Sequence, residues 1–301
     1  MKKILLSALA VIVAAATGLA ATFSNSYQLS GFTGIRASNS FHVEVIPSTS
    51  FSVRIEAPDY IEPYLIVEVN RDQLTLGLKQ LPRAIERKLS NERPGALYAE
   101  VKMPRLQSVS LSGAAVLEAL GDFPDLRGRT FQLDMSGASR ARGLSVTTSS
   151  ATISMSGASD AGLTGRIGEV RIDISGATRL NLGIETSSLK AELSGSSRLD
   201  VDGRIEEARL QASGAARIGL QTLVPLSSLR IQGSGASVFD CRSAKAQDVT
   251  VGLSGASNCK VSALRRIEVE ASGASSCSYE AGPDLDLDII QVSRGASLRK
   301  L

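Results

Sequence analysis

The sequence has no tryptophan, one histidine and three cysteines in 301 residues, and its aromatic content is only 4%. The shortage of aromatics excludes the stacking platforms on which single-stranded nucleic acids are held. It leaves no broad ring surface for sugars either. With His42 as the one imidazole, Ser-His-Asp triads and histidine-rich metal sites have no second member to draw on. His42 falls on the polar side of an alternating stretch and reads as a solvated residue. An excess of one charge is also missing: 33 Lys and Arg oppose 30 Asp and Glu, a net +3. Bulk charge therefore implies no polyanionic partner, and no nucleic-acid partner or cofactor is expected. The 27 glycines lack a three-residue period, which excludes collagen. Beyond residue 20, no apolar run is long enough to span a membrane.

The first twenty residues are unlike the rest. Lys2 and Lys3 precede an apolar stretch from Ile4 to Ala16, and Gly18-Leu19-Ala20 offers the small residues that a signal peptidase reads. The run is short for a membrane anchor, and no basic stop follows it. Residues 1–20 therefore read as a cleaved signal peptide, and the chain as exported to the periplasm, the outer surface or the medium. No cysteine follows the signal, so a lipoprotein anchor is not expected.

Residues 27–96 read as an N-terminal β segment. Phe41, Val43 and Val45 alternate with polar residues, as do Phe51, Val53 and Ile55, then Val67 and Val69, then Leu74, Leu76 and Leu78. Pro47-Ser48-Thr49-Ser50 and Asn70-Arg71-Asp72 are turn sequences. The stretch from Lys79 to Gly95 is charged, holds Pro82 and Pro94, and reads as a long loop or one short helix, serving as a connector or cap.

Residues 97–301 are dominated by a repeat. A small-residue corner, most often Ser-Gly-Ala-Ser, recurs at Gly113, Gly137, Gly157, Gly176, Gly195, Gly214, Gly235, Gly255, Gly273 and Gly295, with gaps of 24, 20, 19, 19, 19, 21, 20, 18 and 22 residues. A period near 20 is that of a solenoid, in which one coil cannot bury its apolar face without neighbours. The positions four and two before each glycine are mostly apolar (Val109 and Leu111, Ile172 and Ile174, Leu210 and Ala212), with a polar residue between them. Four and six after it the pattern returns, as in Leu180 and Leu182 or Leu199 and Val201. Apolar, polar, apolar is a half-buried strand. Each coil is thus strand, tight corner, strand and variable return, and stacked copies pair in parallel. The predicted fold is all-β: a parallel β-helix or β-solenoid of about ten coils of roughly 20 residues, continuous with the N-terminal strands as one domain over 30–301. A Cβ at the corner would clash with the neighbouring coil or block a positive φ, and the flanking serines can satisfy corner backbone groups. Leucine-rich repeats need an asparagine ladder, and calcium-binding rolls need Gly-Gly-x-Gly-x-Asp; neither is present. A propeller blade needs four strands in about 40 residues, twice this unit.

In order and number, these motifs resemble the auto-transporter adhesins with a head GIN domain. The resemblance rests on Phe32-Thr33-Gly34-Ile35, Phe41-His42-Val43-Glu44-Val45, Phe51 to Ala57, the repeated Leu-Ser-Gly-Ala-Ser corners, and Gly282-Pro283 followed by Ser293-Arg294-Gly295-Ala296-Ser297. It covers about residues 30–301. It implies an exported parallel β-helix without established catalytic residues. The chain departs from the family pattern in placing Ala after most corner glycines.

Three further features are candidates for chemistry. Cys241, Cys259 and Cys277 recur every 18 residues on consecutive coils. They are either a stack of buried free thiols or, for Cys259 and Cys277, a disulfide that export permits. Arg179, Arg198 and Arg217 stand three after successive glycines, while Arg171, Lys190, Arg209 and Arg230 stand five before, next to Asp173, Glu192, Gln211 and Gln232. Such columns are either a solvated face of partly paired charges or a track for an anionic glycan or lipopolysaccharide, because stacked like charges repel unless neutralised. Polysaccharide lyases share the scaffold but cluster carboxylates and a cationic base in one cleft. Here the acids are spread one per coil. The expected function is thus a non-enzymatic, adhesin-like or envelope-structure module whose partner is a surface glycan or envelope protein. An anionic-glycan binder is the alternative, and a lyase-like enzyme comes third.

Overall fold

A computed structural model describes residues 21–283 and 285–301; the signal-peptide reading lies outside them. The described chain divides into two compact units, residues 21–124 with 138–143, and 125–137 with 144–301. Stacked parallel coils make a β-solenoid, as the corner spacing predicts.

In the first unit the alternating stretches become strands β1 (Thr22–Tyr27), β2 (Gly34–Ala37), β3 (Phe41–Pro47), β4 (Ser52–Pro58), β5 (Leu65–Asn70), β6 (Gln73–Leu78), β7 (Leu97–Met103), β8 (Ser108–Leu111) and β9 (Val116–Ala119). Two coils, β2–corner–β3 and β8–corner–β9, stack in parallel and in register. Residues 140–142 continue the stack beyond β9. On the opposite side the parallel order stops. There β6 lies along β2 and is followed by antiparallel β5, while β7 lies along β3 and is followed by antiparallel β4 and then β1. A parallel edge would template pairing with another chain; here both faces end instead on antiparallel strands, β1 being polar at Thr22, Ser24, Asn25 and Ser26. Phe41, Val43, Val45, Leu74 and Leu76 are fully buried, as their alternation requires.

The first corner of this unit carries no glycine. Asn39 occupies the place with φ of 63°, a conformation that asparagine tolerates better than most residues. Its Oδ1 accepts the Leu78 N–H at 3.1 Å, and its carbonyl accepts the Ala114 N–H of the next corner. The corner ladder therefore begins one coil earlier than the glycine count shows. The charged stretch holds helix α1 (Arg83–Ser90), which has no side-chain cap at its N-terminus. It is held from outside: the Lys88 ammonium lies 3.9 Å from the Tyr60 ring centre, and the Tyr60 hydroxyl donates to Glu92 at 2.9 Å. Burial and that hydrogen bond push the Tyr60 phenol up to about 12.

In the second unit strands run almost unbroken from one Ser-Gly corner to the next: Asp160–Ile174, Arg179–Leu193, Arg198–Ala212. They pair in parallel with a constant offset, Leu180 beside Leu199 and Ala191 beside Leu210. The predicted inward columns are the core: Ile172, Ala191, Leu210 and Ile231 on one side, Leu180, Leu199, Ile218 and Phe239 on the other, all at most 1% exposed. Where the column two before the glycine thins to Ala212 and Gly233, a phenylalanine fills the space. A Cβ on Gly233 would lie 2.7 Å from Cε2 of Phe239. The residue six after Gly137 breaks the inward pattern. Gly143 is exposed, with φ of 69°, and a Cβ on it would run into the Ala119 carbonyl. The chain bulges there, and Leu144 is the residue that turns inward, at 2% exposure.

The variable return hides a second regularity. Thr148-Ser149-Ser150 and Thr186-Ser187-Ser188 are 38 residues apart, as are Gly165-Arg166-Ile167 and Gly203-Arg204-Ile205 (186 − 148 and 203 − 165). Register places Thr186 beside Ile205, so hydroxyl and apolar corners alternate. The buried Thr186 hydroxyl donates to the Gly168 carbonyl at 2.9 Å, which is how a polar group is accommodated in an apolar column.

Candidate functional site

Each corner glycine has a positive φ, from 67° at Gly113 to 94° at Gly295. From Gly137 to Gly273 the residue after the glycine donates to the glycine carbonyl of the coil before: Ala158 to Gly137 and Ala177 to Gly157 at 2.7 Å, Ser196 to Gly176 and Ala215 to Gly195 at 2.8 Å. Four of the buried serines two after the glycine close their own corner. Ser159, Ser197, Ser257 and Ser275 donate to the carbonyls of Ser156, Ser194, Ser254 and Ser272 at 2.8–3.0 Å. These hydroxyls bond to backbone, not to one another along the stack, and none meets a base. At Ser139, Thr178 and Ser237, in the same position of other corners, the buried hydroxyl has no hydrogen-bond partner among the described residues, so the left-handed glycine is common to all ten corners and the hydroxyl closure to only some of them.

The three cysteines are buried and free. Cys259 sits in register beside Cys277, and Cys241 is one coil earlier beside Val261. The structure therefore holds thiols where the sequence left a Cys259–Cys277 disulfide open. Burial pushes the Cys241 thiol up, and a hydrogen bond with Cys277 together with burial does the same to Cys259. Thiolate is the reactive form. A thiol-reactive dye at neutral pH is expected to label none of the three in the folded protein and all three in denaturant without reductant. A single labelled thiol in denaturant would instead show the disulfide.

Arg179, Arg198 and Arg217 are register neighbours on successive strands and are exposed. The middle one is neutralised in place: Nε and Nη2 of Arg198 donate to Asp200 at 2.6 and 3.1 Å. Asp160 stands beside Arg179 on the preceding coil. His42 is half-buried and stacked on Tyr98, with ring centres 6.1 Å apart, so it is less solvated than its strand position implies. The Tyr98 hydroxyl donates to Glu44 at 2.6 Å.

On the other side of the Ser-Gly corner lies an open groove of about 560 Å³ running across five coils. Its outer wall is the column three before the glycine, which reads Asp173, Glu192, Gln211, Gln232 and Gly252. Its floor is Leu193, Ala212, Gly233 and Leu253, and its rim carries the hydroxyls of Ser194, Ser213, Ser234 and Ser254. Gln211 donates through Nε2 to Oε1 of Gln232 at 2.6 Å. The Lys190 ammonium, 2.7 Å from Glu192, holds that carboxyl below its usual range. A smaller groove of about 400 Å³ lies at the return corners, between Arg166, Glu185 and Arg204, with Arg166 and Glu185 paired at 2.8 Å. Neither groove is lined by Arg179, Arg198 or Arg217. The sequence held a signal for the larger groove, since its wall changes from acid to amide along one column. That the column borders a depression depends on how successive coils stack in register, which spacing alone did not show.

Among solved structures, a protein from Parabacteroides distasonis named a putative lipid binding protein has the same fold. It aligns over 93% of this chain and 96% of its own, at 13% identity and a TM-score of 0.53. A putative adhesin from the same organism aligns over 94% and 98% at 12% identity, TM-score 0.48. Another from Parabacteroides merdae aligns over 93% and 96% at 12% identity, TM-score 0.46. No curated protein is significantly similar in sequence. The family model described as "Putative auto-transporter adhesin, head GIN domain" matches residues 31–183 and 181–283. By that match, which takes in the Asn39 corner and the glycine corners through Gly273, the chain belongs to the auto-transporter adhesin head GIN domain family.

Proposed function

We propose that this protein is an exported, non-enzymatic β-solenoid that acts as an adhesin-like or structural interaction module of the cell envelope. The observation that carries the reading is the use made of its polar groups. The hydroxyls of Ser159, Ser197, Ser257 and Ser275 close backbone turns, and carboxylates are spread along the chain in pairs such as Arg54–Glu56 at 2.6 Å, Lys190–Glu192 at 2.7 Å and Arg266–Glu268 at 2.7 Å. Groups so committed offer a rigid, repetitive surface and not one convergent site. Membership in a family named for adhesins supports the same reading. Protease shaving of intact host cells, followed by fractionation, tests it: the protein is expected outside the cytoplasm, and a purely cytoplasmic pool would overturn it. A second reading, an anionic-glycan track over Arg179, Arg198 and Arg217, is favoured by their in-register stacking. Replacing all three by alanine with no change in binding would sink it.

A further inference from the structure

We infer that the groove beside the Ser-Gly corners is a binding site for a polysaccharide in which anionic sugars are spaced by neutral ones. The inference deepens the adhesin-like reading and rests on it for its biological setting. The argument is one of unbalanced columns. Arg171, Lys190, Arg209 and Arg230 lie on consecutive coils, all four in direct register, about 4.8 Å apart. Two residues further along each strand, on the same face, stand Asp173, Glu192, Gln211 and Gln232, again in register. The first two cations thus face carboxylates. The last two face amides, and both Arg209 and Arg230 are exposed without an ion pair among the described residues. Glu207 flanks Arg209 on its other side, but its register partner beside Arg230 is Ser228. Asp248, next in that column, is taken by Arg265.

Two stacked guanidiniums a coil apart repel and are stabilised by an anion between them. Arg209 and Arg230 do not line the groove, but Gln211 and Gln232, two residues further along the same strands, do, and the groove supplies what a sugar chain needs: amide donors and acceptors from those glutamines, and the serine hydroxyls beside them. Toward Asp173 and Glu192 the carboxylates are balanced by Arg171 and Lys190, so that stretch can accept hydroxyl hydrogen bonds but offers no uncompensated positive charge. A uniformly charged polymer therefore gains no attraction there while losing its hydration, whereas one alternating anionic and neutral sugars satisfies both stretches.

Purified protein is tested with hyaluronan oligomers, polygalacturonate and neutral dextran at low and high salt. Hyaluronan is expected to bind, more weakly as salt rises, with polygalacturonate weaker and dextran silent. Arg209→Ala with Arg230→Ala should weaken binding at least tenfold. Gly252→Glu should do the same by placing bulk and charge in the groove. A Cβ at Gly252 meets nothing nearer than the Ile231 carbonyl at 4.0 Å, so its melting temperature should stay unchanged. Arg36→Ala, exposed in the first unit, is the control. Absence of hyaluronan binding, equal binding of dextran, tighter binding of polygalacturonate, or insensitivity to the groove variants each overturns the site. None of these results bears on where the protein resides, which cell fractionation decides separately.

Discussion

Gly176→Val is expected to cost about 3–5 kcal/mol of stability, whereas Gly162→Val should change it by less than about 0.5 kcal/mol. Two separate penalties act at Gly176. Its φ is 79°, a region that costs an L-residue about 1–2 kcal/mol and a β-branched one more. Its Cβ would also lie 2.5 Å from the Gly157 carbonyl oxygen and 3.0 Å from the Gly157 nitrogen. Those are backbone atoms and cannot rotate aside. The coils must part there, and the bond from Ala177 N–H to Gly157 O at 2.7 Å is strained with them. Gly162 has no positive φ and nothing within 4 Å of a Cβ, so the same substitution meets open space. Solenoid coils are stabilised mainly by their neighbours, so hydrogen exchange in Gly176→Val should rise most in the coils around 157–195 and least toward 255. Urea melts showing equal shifts for the two valine variants would refute the corner argument.

The second large effect is expected at Phe239. The ring is fully buried and occupies the space that Ala212 and Gly233 leave in the opposite column. Phe239→Ala should cost about 3–5 kcal/mol, transfer and cavity terms together. Gly233→Ala alone should cost about 1–3 kcal/mol by overpacking against that ring. The combination of Phe239→Leu with Gly233→Ala should then cost less than the sum of its parts, because the smaller side chain makes room for the added methyl. A double-mutant cycle in urea measures this directly; strict additivity would mean that the two positions do not share one space.

These two effects differ in how far they were legible beforehand. The corner argument was readable because a glycine recurring every 18–24 residues needs a common cause, and close-packed backbone is one. The packing of Phe239 on Gly233 was not, since the two lie on opposite sides of a corner and only the closed coil brings them together. The Asn39 corner is not marked by glycine, because the physical requirement is a left-handed backbone that asparagine also meets. Spacing alone puts Gly143 inward, six after Gly137, but its left-handed backbone turns Leu144 into that place. The candidate glycan residues show the same limit: Arg179, Arg198 and Arg217 do stack, yet Arg198 is already paired, and the unpaired cations Arg209 and Arg230 instead stand two residues from the groove-lining Gln211 and Gln232.

By itself the sequence determined the all-β architecture, the coil period, the inward columns and the corner chemistry. Each follows from local rules: alternation within a strand, and the backbone that a tight turn demands. The tertiary structure alone decided which outward columns meet, where charge is left uncompensated, and where the surface is hollow. Those depend on register between coils, and returns of unequal length leave register open until the backbone hydrogen bonds of neighbouring coils close.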